Sequence, residues 1–288
     1  MPTLELPPDF PLTNFLTEVS SADAMFLLDK THGGMGDIEA GHHYVSVGLS
    51  ALQIFEYAIM EDFISSSGLR SILDLPCGHG RVARILRSRF PDANLTVCDI
   101  DRDGVDFCVN RLGATGVYSC ADFDKLDLGG LFDLIWVGSL LTHLIPSDTV
   151  KFIRCMERFL ANDGLLIVTS NGKTVASRRW SSAPAFAQYN LTGYGANIDA
   201  YLKGYDGSII SRHWLEGFFA GQRLGIVAYL EDEWDTSQDI LFLKKRPFLP
   251  TEFDPKAYLT IHKDVAAGGM DPVQHYLMFG KKEGRRLR

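Results

Sequence analysis

The feature that most constrains this chain is the run Ser71-Ile72-Leu73-Asp74-Leu75-Pro76-Cys77-Gly78-His79-Gly80-Arg81-Val82-Ala83. An apolar strand enters a glycine turn and a helical pattern leaves it. Gly78 and Gly80 let the backbone turn sharply and approach a ligand with no side chain between. The surrounding hundred or so residues repeat the same rhythm. Apolar runs at Ser71–Leu75, Leu95–Ile100, Gly116–Cys120, Leu131–Val137 and Gly164–Thr169 alternate with helical patterns at Val82–Phe90, Gly104–Leu112 and Thr149–Leu160. Strand, helix, strand in that order predicts a parallel sheet covered on both faces, a doubly wound α/β architecture.

The flanks have their own texture. Between Tyr44 and Phe63, apolar Val45, Leu49, Leu52, Phe55 and Ile59 recur every three or four residues, which is helical spacing. Residues 1–43 are punctuated by Pro, Gly and Asp around one helical stretch near Ala22–Leu28, so 1–66 reads as an N-terminal helical cap on a main domain at 67–246. Residues 171–210 show no clear period and read as a lid or binding loop. A helix at Ser211–Gln222 and strands at Gly225–Glu231 and Asp239–Lys245 follow. The segment Asp232–Gln238 between those strands is too short for a helical crossover, so they should pair antiparallel. Pro247 and Pro250 mark a linker to a small C-terminal helical appendage at 251–288.

Composition excludes several classes. With 46% apolar and 22% charged residues the chain is neither disordered nor collagen-like. No apolar run is long enough to span a membrane, and the first 25 residues lack the basic start and apolar stretch of a secretory leader. Five cysteines, an odd number without a C-x-x-C pair, suit reduced thiols in a cytoplasm. The net charge of −8 is uneven: from Lys244 onward ten Lys and Arg face five Asp and Glu, leaving the rest at −13. An acidic body argues against nucleic-acid binding, which Lys and Arg dominate. The basic end, with Lys281-Lys282-Glu283-Gly284-Arg285-Arg286, could meet an anionic or protein partner, or is simply a solvated terminus.

Asp99 stands nineteen residues beyond Gly80, at the tip of the next apolar strand. An acid there is placed for the ribose hydroxyls of a nucleoside. Gly78-x-Gly80-x-x-Ala83 also fits the dinucleotide fingerprint, but Asp74 inside the first strand would point toward the pyrophosphate and repel it. A ligand carrying an ammonium and a sulfonium would welcome that carboxylate.

The stretch resembles the first motif of class I S-adenosylmethionine-dependent methyltransferases. Cys98-Asp99-Ile100 looks like the family's second motif, whose acid holds the ribose. Ala121-Asp122-Phe123 looks like the third, whose acid accepts from the adenine amino group. Phe132-Asp133-Leu134-Ile135-Trp136 with Leu140-Leu141-Thr142-His143-Leu144 is similar to the fourth strand and its loop. Asp163-Gly164 before an apolar strand is similar to the fifth, and the last strand pair to the sixth and reversed seventh. Over roughly residues 44 to 246 the resemblance implies a seven-stranded Rossmann-like sheet with a reversed last strand, and S-adenosyl-L-methionine as cofactor. It implies a cofactor site from Asp74, Cys77, Gly78, Gly80, Asp99, Ile100, Asp122, Phe123 and Ser139, with Tyr44 and Gly48 over the methionine end. Pro76 stands where the family usually has glycine, and has no N–H to donate.

Methyl transfer to a hydroxyl needs an oriented acceptor, exclusion of water and a base, for which histidine is the first choice. His143 beyond the fourth strand and His213 at the helix after 171–210 are the candidates, against simple packing. His79 in the turn should face solvent, and His42-His43 has no third ligand for a metal. Arg81, Arg84, Arg87 and Arg89 read as the wet side of a helix. Tyr189, Tyr194, Tyr201 and Tyr205 could stack on an acceptor ring or merely bury surface. The tail segments Phe253–Leu259, Asp264–Ala266, Asp271–Leu277 and Phe279–Arg285 resemble a short helical repeat associated with bacterial surface-polysaccharide enzymes and large exported proteins. The expectation is methyl transfer to a hydroxyl of a sugar, glycan or other small metabolite. The rivals are an NAD-linked oxidoreductase and a non-catalytic cofactor-binding subunit that recruits a partner through the basic tail.

Overall fold

The computed structural model describes residues 3–6, 10–31, 33–179, 184–197, 207–246, 250 and 252–287. The chain divides into two compact units, Met1–Lys244 and Lys245–Arg288. In the first, strands β1 (Ser71–Asp74), β2 (Asn94–Asp99), β3 (Thr115–Tyr118), β4 (Phe132–Val137) and β5 (Leu160–Asn171) are joined by β8 (Leu224–Trp234) and β9 (Gln238–Lys245). They form a seven-stranded sheet in the order β3-β2-β1-β4-β5-β9-β8. Strands β1 to β5 run parallel, while β9 is antiparallel to β5, with Ser170 opposite Asp239. A short turn at 235–237 joins β8 to β9 and leaves no room for a crossover, as the sequence suggested.

The period-2 alternation of each strand divides the core. Ile72, Leu134, Trp136, Ile167, Ile240 and Phe242 point to one face. There they meet α2 (Asp37–Met60), α3 (Ala83–Arg89) and α4 (Arg102–Leu112). Leu73, Ile135, Val137, Leu166, Val168 and Leu241 point to the other, under α5 (Pro146–Phe159) and the helix Arg212–Phe219. Because both faces are covered, these strands are apolar runs rather than alternating ones. The helix ends follow local chemistry. Asp101 caps α4 by accepting from the Asp103 amide at 3.2 Å, Gly113 ends it at φ +61°, and Pro146 opens α5.

The N-terminal segment is more ordered than its punctuation suggested. Helix α1 (Ala24–Thr31) and the start of α2 enclose a small core of Leu4, Val19, Phe26, Ala40, Tyr44 and Val45. The stretch read as an aperiodic loop also holds structure: β5 runs on to Asn171, and α6 (Lys173–Arg179) and α7 (Pro184–Thr192) follow. Strand β6 (Tyr194–Ala196) then pairs antiparallel with β7 (Ser208–Ile210). The period was invisible because α7 buries only Ala185, and strands of three residues are too short to show alternation. Buried Tyr194 and Ile210 join the core beneath α5, so this part is packed onto the domain. The helix Arg212–Phe219 is α8.

The second unit is a group of short helices, α9 (Pro255–Ile261), α10 (Lys263–Gly268) and α11 (Pro272–His275), around buried Tyr258, Val265 and Tyr276. Asp254 and Asp271 cap α9 and α11, each followed by proline at the first helical position. Among the described residues, no helix is long and apolar enough to cross a membrane.

Candidate active site

The carboxyl ends of β1, β2 and β4 open into a cavity of about 250 Å³. Parallel pairing sets Asp74, the last residue of β1, beside Val97 and Trp136, so the tips of all three strands meet there. After β1 the chain turns through Pro76, Cys77, Gly78, His79 and Gly80. Gly78 and Gly80 hold φ of +47° and +80°, the left-handed region that glycine alone enters without strain. A Cβ on Gly80 would also lie 2.9 Å from the Cys108 sulfur. That residue is therefore required by packing of the turn on α4 and does not line the cavity.

Asp74 lines the cavity and is 1% exposed, yet neither carboxylate oxygen has a hydrogen-bond partner. Burial pushes its acid well above the usual range, Asp99 adds to the effect, and the Ala83 amide and Arg81 guanidinium offset only part of it. An orphaned carboxylate in a buried position is costly unless something cationic arrives. Asp99 differs: Oδ2 accepts from the Gly78 amide at 2.7 Å and Oδ1 from the Asp101 amide at 2.9 Å. It therefore holds the glycine turn in shape as well as lining the cavity, which a bare strand-tip acid would not do.

Ser139, following β4, adopts φ +63°, a strained conformation for a residue with a Cβ. It is held there by its amide donating to Thr169 Oγ1 at 2.8 Å and by Gln238 Nε2 donating to its hydroxyl at 2.8 Å. His143 ends the 3-10 turn Leu141–His143 and lines the same cavity, half-buried. Tyr44 lines it from α2, its hydroxyl donating to Asp23 Oδ2 at 2.7 Å. Burial raises the Tyr44 phenol; Arg84 opposes this and Asp23 adds to it. The Cys77 thiol is raised by a hydrogen-bonding contact with the Cys108 thiol and by burial, so it is a poor nucleophile at neutral pH.

Several expected positions fall elsewhere. His213 lines a separate cavity of about 230 Å³ with Lys173, Tyr189, Tyr229 and Asp239. It sits there because α8 packs Leu215 and Phe219 against the α5 face of the sheet. Gly48 is a helix contact: a Cβ there would come within 3.2 Å of Ile85 and 3.3 Å of the Arg81 carbonyl. Ile100 is 70% exposed, Asp122 is exposed and paired with Lys125 at 2.9 Å, and Phe123 packs edge-on against Phe152. None of these three lines the cavity. Tyr194 is buried and bonded to Thr149 and Leu144, Tyr189 stacks on Phe186, and Tyr201 and Tyr205 lie outside the described residues.

The reading of His79 and the arginines needs correction. His79 is 3% exposed, with Nε2 3.0 Å from Asp103 and Nδ1 3.7 Å from Asp101, because those carboxylates at the start of α4 face the turn. Arg84 is fully buried, since α3 is covered on that side by the N-terminal segment. Arg81 lines the cavity, its guanidinium 5.8 Å from the Tyr44 ring and 6.0 Å from that of Trp234. Sequence reasoning missed Asp23, Arg81 and Asp101 as lining residues. The Asp99-Ile100-Asp101 spacing was a usable signal for the last, and nothing in the sequence marked Asp23. Among the described residues, the lining carries four carboxylates, Asp23, Asp74, Asp99 and Asp101, against the one guanidinium of Arg81.

Residues 72–164 match the family described as a methyltransferase domain. The chain is 30% identical over 114 residues to malonyl-[acyl-carrier protein] O-methyltransferase of Acetivibrio thermocellus, covering 39% of each chain. It is 23% identical over 150 residues to N-terminal Xaa-Pro-Lys N-methyltransferase 1 of Mus musculus, covering 50% of this chain and 64% of that one. The matches thus span only about two-fifths to two-thirds of these curated relatives. An S-adenosylmethionine-dependent methyltransferase from Clostridium acetobutylicum shares the fold at a TM-score of 0.50 and 14% identity, over 76% of this chain and 96% of that one. Strand order and the glycine turn agree with the match: residues 72–164 carry a methyltransferase domain, set in a sheet with the fold of an S-adenosylmethionine-dependent methyltransferase.

Proposed function

We propose that the cleft binds S-adenosylmethionine and that the protein moves its methyl group to a hydroxyl of an uncharged sugar, glycan or other small metabolite. The observation that carries this reading is Asp74, buried in the cavity lining with both oxygens unpartnered. A cationic ligand supplies the missing partner, whereas the pyrophosphate of NAD would face four carboxylates. Bound there, the cofactor supplies an electrophilic methyl group. The rest falls to this chain's residues: Asp74 meets the cationic end and Arg81 offers a guanidinium to a carboxylate. Asp99 retains lone pairs for ribose hydroxyls after accepting its two amides. Ser139 and Tyr44 shape the wall, and His143 is the base within the cleft that takes the acceptor's proton.

The carboxylate excess also disfavours an anionic acceptor, because a second negative group would enter a low-dielectric space of its own sign. The five cysteines are all free, which suits a reducing cytoplasm. The repeat-like second unit suits a bacterial glycan-assembly setting, and its exposed Lys281 and Lys282 offer an anionic or protein partner a contact. The test is transfer from methyl-labelled cofactor to three acceptor pools: neutral glycosides, amines and carboxylic acids. Label in the glycoside ethers is expected. Label confined to amines or carboxylates would overturn the acceptor class, and cofactor binding without transfer to a cell extract would favour the non-catalytic subunit.

A further inference from the structure

Arg84 is buried with no exposed surface, and each of its five N–H donors has a partner. Nε donates to the Gly80 carbonyl at 2.9 Å and one Nη2 proton to the His79 carbonyl at 3.1 Å, both in the glycine turn. Nη1 donates to the carbonyls of Leu16 and Glu18, each at 2.9 Å, in the segment before α1. The fifth donor reaches the Tyr44 hydroxyl at 3.4 Å, and that hydroxyl donates in turn to Asp23. The other Asp23 oxygen accepts from the amides of Met25 and Phe26 at 2.9 and 3.2 Å, capping α1. Asp23 and Met25 line the cavity. One planar fork therefore ties the glycine turn to the segment that supplies Asp23 and Met25 to the cavity lining. A lysine ammonium cannot copy this, because its three donors radiate from a single atom.

We propose that Arg84 is a positioning residue for the cofactor cleft, fastening Leu16–Met25 to the glycine turn so that Asp23 and Met25 form one wall of the binding space. This rests on the reading that the cleft takes S-adenosylmethionine. The role is indirect: Arg84 touches carbonyls and Tyr44 and is absent from the cavity lining. A residue that only stabilised the fold would lower melting temperature while leaving ligand affinity alone once the protein is folded. A positioning residue shifts affinity in the folded protein.

The experiment compares wild type, Arg84→Lys, Tyr44→Phe and the double variant. Calorimetry with S-adenosylhomocysteine gives Kd, and amide hydrogen exchange reads Met25 and Phe26. Tyr44→Phe keeps the ring beside Arg81 and removes only the hydroxyl link, so it serves even where Arg84→Lys fails to fold. Expected are a Kd raised at least tenfold in Arg84→Lys and about threefold in Tyr44→Phe, with faster exchange at Met25 and Phe26 but not in β1 or β4. The double variant should lose little more than Arg84→Lys alone, because both break one chain of bonds. A Kd within twofold of wild type in both single variants overturns the proposal, as does a weakened Kd with unchanged exchange at Met25 and Phe26. Fully additive losses overturn it too. Wild type that binds no S-adenosylhomocysteine would instead sink the cofactor reading, while the exchange data would still report whether Arg84 fastens the segment.

Discussion

Replacing Asp74 by Asn separates what the cleft needs from what the fold needs. The side chain is 1% exposed and makes no hydrogen bond, so the swap keeps volume and removes an uncompensated charge. A charge-assisted bond from an ammonium to this carboxylate is worth roughly 1.5–3 kcal/mol. At about 1.4 kcal/mol per decade, Asp74→Asn should weaken S-adenosylmethionine binding by roughly 10- to 150-fold. The empty protein should behave in the opposite way. Burial raises the Asp74 acid in the folded state, so its contribution to stability is greatest below the unfolded acid's titration and is lost as pH rises through the raised one. At neutral pH it is therefore a cost that the Asn variant lacks. Bound cation favours the carboxylate, so binding should also release a proton as pH falls through the raised value. Melting with and without cofactor, and calorimetry in buffers of different ionisation enthalpy, measure all of this. An unchanged Kd, or equal proton release in wild type and variant, would refute the role of Asp74.

The other expectations concern separate residues. His143→Ala should lower turnover by about 10²–10⁴-fold with cofactor affinity unchanged, as for a lost general base; unaltered turnover removes His143 from the chemistry. Asp99→Ala should weaken the cofactor at least ~10-fold. It should also destabilise the empty protein by about 1–3 kcal/mol for each stranded amide, because Gly78 and Asp101 lose their acceptor. A normal apo melting temperature would show that the turn does not depend on it. Asp239 is pushed up to about 6, chiefly by burial. Its contribution to stability is present at acid pH and lost as pH rises through about 6, so Asp239→Asn should gain on wild type between pH 4 and 7 in chemical denaturation. A constant difference across that range would contradict the shift.

The sheet was legible because its signals are local and redundant. Five apolar runs and their helices lie where the alternation put them, and even the reversed edge follows from the short join before Asp239. Asp74, Cys77, Gly78, Asp99, Ser139 and His143 line one cavity, since residues at and just beyond parallel strand tips converge whatever the rest of the chain does, and Tyr44 joins them from α2. What the sequence hid depends on distant partners. Arg84 looks solvated in any helical projection, and only the return of residues 16–18 over α3 makes it the most buried charge near the cleft. His213 misled for the same reason: its place near the end of 171–210 in sequence says nothing of which sheet face α8 covers. Asp99 was read as a binding group alone because its two amide donors come from a turn whose shape residue types do not disclose.

Titration calorimetry of the purified protein with S-adenosylhomocysteine and, separately, with NAD tests the central claim most directly. One-to-one binding of S-adenosylhomocysteine, weakened in Asp74→Asn, together with no heat from NAD, is the expected result. Saturable heat from NAD and none from S-adenosylhomocysteine would contradict it.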